Sequence, residues 1–102
     1  LGSAETIEVK ISRGDSLIES AQIAAPNVIK IDIEGHEFAA MSGLSEAISN
    51  ADCRVIASEI HPSALVGQGS SAESFEQLLT DHGFSIQRIA SRGREYHAIF
   101  TR

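Results

Sequence analysis

Residues 28–37 of the chain have the sequence VIKIDIEGHE. Its first residues are apolar and typical of a buried strand, whereas its end carries four titratable side chains around one glycine: Asp32, Glu34, His36 and Glu37. Beside the interior of a sheet, such side chains must be hydrated, paired or used in chemistry. We therefore expect them to line a crevice at the end of this strand.

Strand and helix patterns alternate over the rest of the chain. The predicted elements, in chain order, are strand 6–12, a helix that begins at Asp15, strand 28–33, helix 37–48, strand 54–60, helix 70–80 and a hairpin of strands 84–90 and 95–101. This order predicts a single α/β domain over residues 1–102. We expect it to have three layers, a mainly parallel sheet and a C-terminal antiparallel hairpin.

The connections between these elements contain signals of their own. Asp15 is expected to cap the first helix, and Ser70 and Glu73 have capping-box spacing at the start of the last one, after a glycine-rich connection at 65–69. Strand 6–12 is expected to pair in parallel with strand 28–33 through a right-handed crossover. An edge of strand 28–33 that stays open would favour a homodimer, because exposed apolar edges pair with other chains.

A second group of polar residues follows the strand at 54–60. Glu59 and His61 lie at its end. Since ligands bind outside the carboxyl ends of neighbouring parallel strands, we expect both side chains on the same rim as those of residues 32–36. The residue types suit Mn, Fe or Zn, but their spacing matches no metal motif and no metal is assigned. The alternative is that Lys30 and Arg54 pair with some of these carboxylates.

Composition narrows the class of protein. The 102-residue chain has a net charge of -6, which argues against nucleic acid as a partner, because binding to phosphates needs clustered Lys and Arg. No apolar run is long enough to span a bilayer, so no membrane partner is expected. The single cysteine, Cys53, is expected to be a small buried hydrophobe, and we predict a reducing, cytoplasmic setting.

Four stretches together carry a family resemblance. They are VIKIDIEGHE at 28–37, MSGL at 41–44, SEIHP at 58–62 and LLTDHGF at 78–84. In this combination the chain resembles the C-terminal half of an FkbM-type methyltransferase domain. The resemblance implies a Rossmann-like fold that uses S-adenosylmethionine to methylate a hydroxyl, often on a sugar or natural product. No segment corresponds to the family's glycine-rich donor loop, so the cofactor-binding residues stay unknown; the chain is either part of a longer protein or has lost that half.

The same resemblance suggests roles for the polar rim. Asp32, His36 and His61 are the candidate catalytic residues, with a histidine as the better general base because an imidazole titrates at about pH 6.5. The carboxylates expected to bind a small-molecule acceptor or to hold those histidines are Glu34, Glu37 and Glu59. Two other classes stay open: a non-catalytic α/β binding module, favoured by the absent donor loop, and a small metal-dependent enzyme.

Overall fold

Four stretches rich in Val, Ile and Phe pair into one mixed sheet. The computed structural model describes residues 6, 8 and 11–102. The strands are β1 (Val28–Ile31), β2 (Val55–Ile60), β3 (Ser85–Arg92) and β4 (Glu95–Thr101). The helices are α1 (Gly14–Ala21), α2 (Glu37–Ser42), α3 (Ser45–Ser49), α4 (Pro62–Gly67) and α5 (Ala72–Asp81). Among the described residues, no helix is long and apolar enough to cross a membrane.

The strand order of the described sheet is β1-β2-β4-β3. β1 and β2 are parallel, whereas β4 is antiparallel to both of its neighbours. The predicted C-terminal hairpin is therefore confirmed, but the prediction of a mainly parallel sheet is wrong for the described residues. The physical reason is that the hairpin docks with β4 beside β2, so that it adds two antiparallel pairs to a single parallel one.

The strand predicted at 6–12 lies outside the described residues except at positions 6, 8, 11 and 12, which are not in a strand. Its pairing with β1 is therefore not described either. Val28 of β1 is 63% exposed and Ile31 is the one buried residue of this strand, so the prediction of a buried strand is wrong for its first residues. Pairing of two chains along β1 stays a prediction.

Alternate residues of the strands point to opposite faces, and one face holds the core. On β2, Ile56 and Ile60 are fully buried, and they form one cluster with residues of α2, α3, α4 and α5. Phe75 of α5 and Phe100 of β4 meet edge to face at 5.9 Å between ring centroids. This cluster is the core of the described part, and the predicted three-layer arrangement is not confirmed.

Two local predictions are corrected in the first half of the chain. The helix predicted at 37–48 divides into α2 and α3. Asp15 does not cap its own helix, whose N-cap is Arg13. Its carboxylate instead accepts hydrogen bonds from the backbone N–H groups of Glu46 (2.8 Å) and Ala47 (3.0 Å) at the start of α3. Asp15 thus caps a helix that is distant in sequence and ties α1 to it.

Two further corrections concern the segment before α5. The residues predicted as a glycine-rich connection partly form α4, which begins with Pro62, a residue suited to the first helical turn because its missing N–H would have no intrahelical partner there. The capping box of α5 is formed by Ser71 and Ser74, one residue later than the predicted pair Ser70 and Glu73. In it, each serine hydroxyl accepts a hydrogen bond from the other residue's backbone N–H, both at 3.0 Å.

Candidate active site

Strand pairing brings three polar segments to one edge of the sheet. Ile31 and Ser58 are paired, so Asp32 follows β1 beside Glu59 near the end of β2. His61 comes directly after β2. The antiparallel pairing of Ile60 with Tyr96 places the start of β4, where Glu95 lies, against the same end. The predicted meeting of the two strand ends is thus present, with β4 as a third contributor.

The imidazole of His61 lies among three carboxylates. Its Nε2 is 3.7 Å from Asp32 Oδ1 and 3.7 Å from Glu59 Oε1, and its Nδ1 is 3.4 Å from Glu95 Oε1. The His61 side chain is 17% exposed, whereas those of Asp32 and Glu95 are each 51% exposed. Nε2 is buried and has no hydrogen-bond partner among the described residues. An incoming molecule would therefore meet the carboxylates first and the imidazole behind them.

This surrounding changes the pKa of His61. Burial alone would lower the pKa, because it disfavours the charged imidazolium. The contact with Glu95 and the negative charges of Glu59 and Asp32 act in the opposite direction and together outweigh burial. The pKa of His61 is therefore raised above its ordinary value, and the imidazole is more readily protonated than a free histidine.

A cavity of about 680 Å³ opens beside this cluster. Its volume lies within the range of small-molecule sites. Its charged lining has an acidic part, formed by the three carboxylates around His61 and by Glu34. It also has a basic part, formed by Arg92 and Arg94 at the turn between β3 and β4. The start of α4 completes the wall. The cavity can accept a polar molecule that offers hydrogen-bond donors to one side and a negative charge to the other.

Four of the six predicted site residues line this cavity: Asp32, Glu34, Glu59 and His61. The other two lie elsewhere. His36 is exposed and borders a separate hollow with Phe38 and Gln68. Glu37 is fully buried, and its carboxylate accepts hydrogen bonds from the backbone N–H groups of Ile33 (3.0 Å) and Gly35 (3.0 Å).

The turn after β1 packs closely against α4. Glu34 and Gly35 both have positive φ, at 49° and 105°, which produces the sharp change of direction after the strand. A Cβ on Gly35 would lie 2.7 Å from the backbone oxygen of Ala64 in α4. Since α4 begins directly after His61, this close approach fixes the end of β1 relative to the imidazole.

Three charged residues of the cavity were not predicted as site residues: Arg92, Arg94 and Glu95. They were assigned to the predicted hairpin, and Arg94 is in its turn. A hairpin pattern carries no signal of which strand it docks against. Knowledge that β4 pairs with β2 would have placed Glu95 beside His61.

Three side chains of the cluster have the residue types of a metal site. Asp32, Glu59 and His61 each offer one ligand atom, all within 4.8 Å of one another. Such a set suits Mn, Fe or Zn. The same spacing results when a protonated imidazole lies between carboxylates, and the raised pKa of His61 favours that form. The geometry gives no preference for a cation, and we assign none.

The glycine-rich segment at 67–72 resembles a nucleotide-binding loop in sequence. A nucleotide-type loop follows a strand directly, so that a helix N-terminus meets the ligand. Gly67 instead ends α4, and Gly69 lies in the connection to α5. The pattern Gly67-x-Gly69-x-x-Ala72 therefore does not form such a loop. Within the described residues we therefore identify no loop of this type for S-adenosylmethionine.

Comparison with known proteins gives one family and one curated relative. Residues 2–86 match the family model described as Methyltransferase FkbM domain. The chain is 29% identical over 90 residues to the hexuronic acid methyltransferase AglP of Haloferax volcanii. The matched part is 81% of this chain and 37% of the relative, so the chain spans well under half of that protein's length. No solved structure matches the chain.

Proposed function

Because the chain belongs to the FkbM methyltransferase family, we propose that it acts in methyl transfer from S-adenosylmethionine to a hydroxyl of a sugar or natural product. The observation that carries the proposal is the family match over residues 2–86, which includes Asp32, Glu59 and His61 of the cavity. The name of AglP, a hexuronic acid methyltransferase, supports a sugar as the acceptor.

We assign the acceptor side of the reaction to this chain. The cavity lies at the carboxyl ends of β1 and β2, where ligands of α/β sheets bind, and its acidic part offers acceptors for sugar hydroxyls. S-adenosylmethionine would supply the methyl group as a sulfonium. The attraction of Asp32 to that positive charge would not by itself speed the reaction, because the charge disperses as the methyl group is transferred.

We assign two roles to the cluster around His61: it orients the acceptor, and it takes the proton of the acceptor hydroxyl. Asp32 is half exposed and accepts a hydrogen bond from the acceptor hydroxyl. The proton would pass to the pair of Asp32 and His61, whose nearest atoms are 3.7 Å apart, as the hydroxyl oxygen takes the methyl group and the carbon–sulfur bond of the sulfonium breaks. Glu95, beside Nδ1, holds the imidazole in the tautomer that leaves Nε2 free, and Glu59 stabilises the imidazolium. Positioning of the hydroxyl supplies much of the rate.

The proposal is tested with the full-length protein, labelled S-adenosylmethionine and a panel of sugars. We expect labelled product from at least one sugar, and a loss of about 10²–10⁴-fold in turnover for His61→Gln. The control is His82→Gln, since the His82 ring bonds only the Leu78 carbonyl among the described residues. Turnover that is equal in the wild type and His61→Gln would contradict the assignment.

A non-catalytic binding module is the second candidate. It is favoured by the absence, within the described residues, of a glycine-rich loop directly after a strand. Sugar binding by the full-length protein with no methyl transfer to any member of the panel would establish this candidate in place of the first.

A further inference from the structure

A β-bulge in β3 redirects the side chains of the hairpin. Arg88 pairs with Ala98, but Ala90 pairs with His97, so Ile89 is an extra residue in the ladder. Because side chains alternate between faces, one extra residue moves every later side chain of the strand to the opposite face.

The bulge separates Arg92 from Arg88. Arg88 lies on the face of α5, where its guanidinium contacts the carboxylate of Glu76 at 2.5 Å. Arg92 pairs with Glu95 in the ladder and is on the opposite face. This is the face that carries Glu59, because Glu59 pairs with His97, two residues from Glu95 along β4. The bulge thus brings Arg92 to the cavity.

The arginines of the cavity differ from the others in their partners. Arg13 and Arg88 each contact a carboxylate, and Arg54 and Arg102 donate to backbone carbonyls. Within the part of the chain that the structure describes, Arg92 and Arg94 make no hydrogen bond or ion pair through their guanidinium groups. Their donors are available to a ligand although four carboxylates line the same cavity.

The turn that connects the two arginines is short. Gly93 and Arg94 form the two-residue loop between the paired residues Arg92 and Glu95. Gly93 has a φ of 62°, which a glycine adopts without strain and which hairpin turns with glycine at the first central position require. A tight turn limits the backbone freedom of both arginines, so less ordering is needed when they bind a ligand.

We propose that Arg92 and Arg94 bind a carboxylate of the acceptor, which makes the acceptor a sugar acid; this inference rests on the proposed function. A guanidinium matches a carboxylate through two parallel hydrogen bonds. The acidic side of the cavity disfavours a doubly charged phosphate more than a singly charged carboxylate, because Asp32, Glu34, Glu59 and Glu95 repel both. The acceptor hydroxyl then lies towards Asp32 and the acceptor carboxylate towards the hairpin turn.

The inference is tested by NMR titration of the 102-residue chain with sodium D-glucuronate and, separately, with D-glucose. We expect glucuronate to bind more tightly than glucose and to shift the amide signals of residues 92–94. Arg92→Gln and Arg94→Gln should each weaken glucuronate binding by about tenfold and leave glucose binding unchanged. Arg88→Gln removes the same charge from the other face and should retain glucuronate binding.

Equal affinity for the two sugars, no detectable glucuronate binding, or an equal loss in Arg88→Gln would each overturn the inference. The proposed function has a separate readout. Methyl transfer by the full-length protein to neutral sugars, with no preference for sugar acids, would retain the proposed function and reject the role of the arginines. Glucuronate binding that depends on Arg92 and Arg94, without methyl transfer to any sugar, would support the carboxylate site and reject the methyltransferase.

Discussion

The carboxylate of Glu37 accepts a hydrogen bond from the backbone N–H of Gly35, with 3.0 Å between Oε1 and N. Glu37 is fully buried at the start of α2, and its Oε2 also accepts from the N–H of Ile33. The side chain therefore satisfies the backbone of the turn that follows Asp32. A buried acid in this position holds the turn, whereas a substrate in the cavity would meet the exposed acids.

We expect Glu37→Gln to lower the free energy of unfolding by about 2 kcal/mol, because the amide places a donor where two backbone donors need acceptors. Urea unfolding followed by circular dichroism measures the change. The control is Glu73→Gln, an exposed acid of α5, which should alter stability by less than about 0.5 kcal/mol. Equal stability of the two variants would show that the hydrogen bonds of Glu37 contribute little.

Gly35→Ala combines a strained φ with a steric clash. The new Cβ would lie 2.7 Å from the backbone oxygen of Ala64, whereas Gly83, with a φ of 90°, and Gly67 have open space around that position. We expect Gly83→Ala to cost about 1–2 kcal/mol through strain alone and Gly35→Ala to cost more. Gly67→Ala, at a helix end with an ordinary φ, should cost least. Thermal unfolding of the three variants checks this order, and a Gly35 variant as stable as the Gly67 variant would contradict the close approach.

The pKa of His61 depends on Glu95. Because the Glu95 carboxylate raises this pKa, Glu95→Gln should lower it, and NMR titration of the His61 ring protons measures the shift. Removal of an acid outside the cavity, in Glu73→Gln, should leave it unchanged. An unaltered His61 pKa in Glu95→Gln would contradict the interaction between the two side chains.

The raised pKa of His61 also sets the direction of two pH effects. Since the folded-state pKa lies above the ordinary value of about 6.5, protonation of His61 stabilises the fold at lower pH, and this contribution is lost as pH rises through the folded-state pKa. Turnover should rise as pH rises through the same range, because in the proposed mechanism the cluster takes a proton only when His61 is neutral. A turnover that falls as pH rises through this range would contradict the proposed proton acceptor.

The 102-residue chain should bind S-adenosylmethionine weakly or not at all. Among its described residues, Gly67 and Gly69 do not form a donor loop directly after a strand. Titration calorimetry measures the affinity. Binding with a Kd of about 1 μM, equivalent to about 8 kcal/mol, would mean that the chain contains a donor site not identified among these residues.

The parts of the site that could be predicted from the sequence depend on neighbouring parallel strands, whereas the parts that could not depend on contacts between distant segments. Neighbouring parallel strands end at the same edge, so Asp32 and Glu59 could be placed together from strand patterns alone. The contribution of Glu95 could not, because it depends on the docking of the hairpin beside β2. Asp15 shows the same limit, since its carboxylate caps a helix 31 residues away at Glu46. The burial of Glu37 could not be predicted either, because a local pattern does not distinguish a buried carboxylate from an exposed one.

The fold shows a comparable division. Local strand and turn patterns identified β2 and the hairpin. The bulge at Ile89 is a property of the pairing between two strands and leaves no trace in either strand's own pattern. The prediction of a mainly parallel sheet was wrong for the same reason, because the docking of the hairpin beside β2 is also a property of strand pairing.

The proposed role of Asp32, which acts on the acceptor in methyl transfer, is tested by a comparison of turnover with donor affinity in Asp32→Asn. In the full-length protein we expect turnover to fall by about 10²–10³-fold, while the Kd for S-adenosylmethionine changes by less than about twofold. Asp81→Asn, an exposed acid on α5, is the control and should match the wild type. Unchanged turnover in Asp32→Asn, or a donor affinity that falls as much as turnover does, would contradict this role of Asp32.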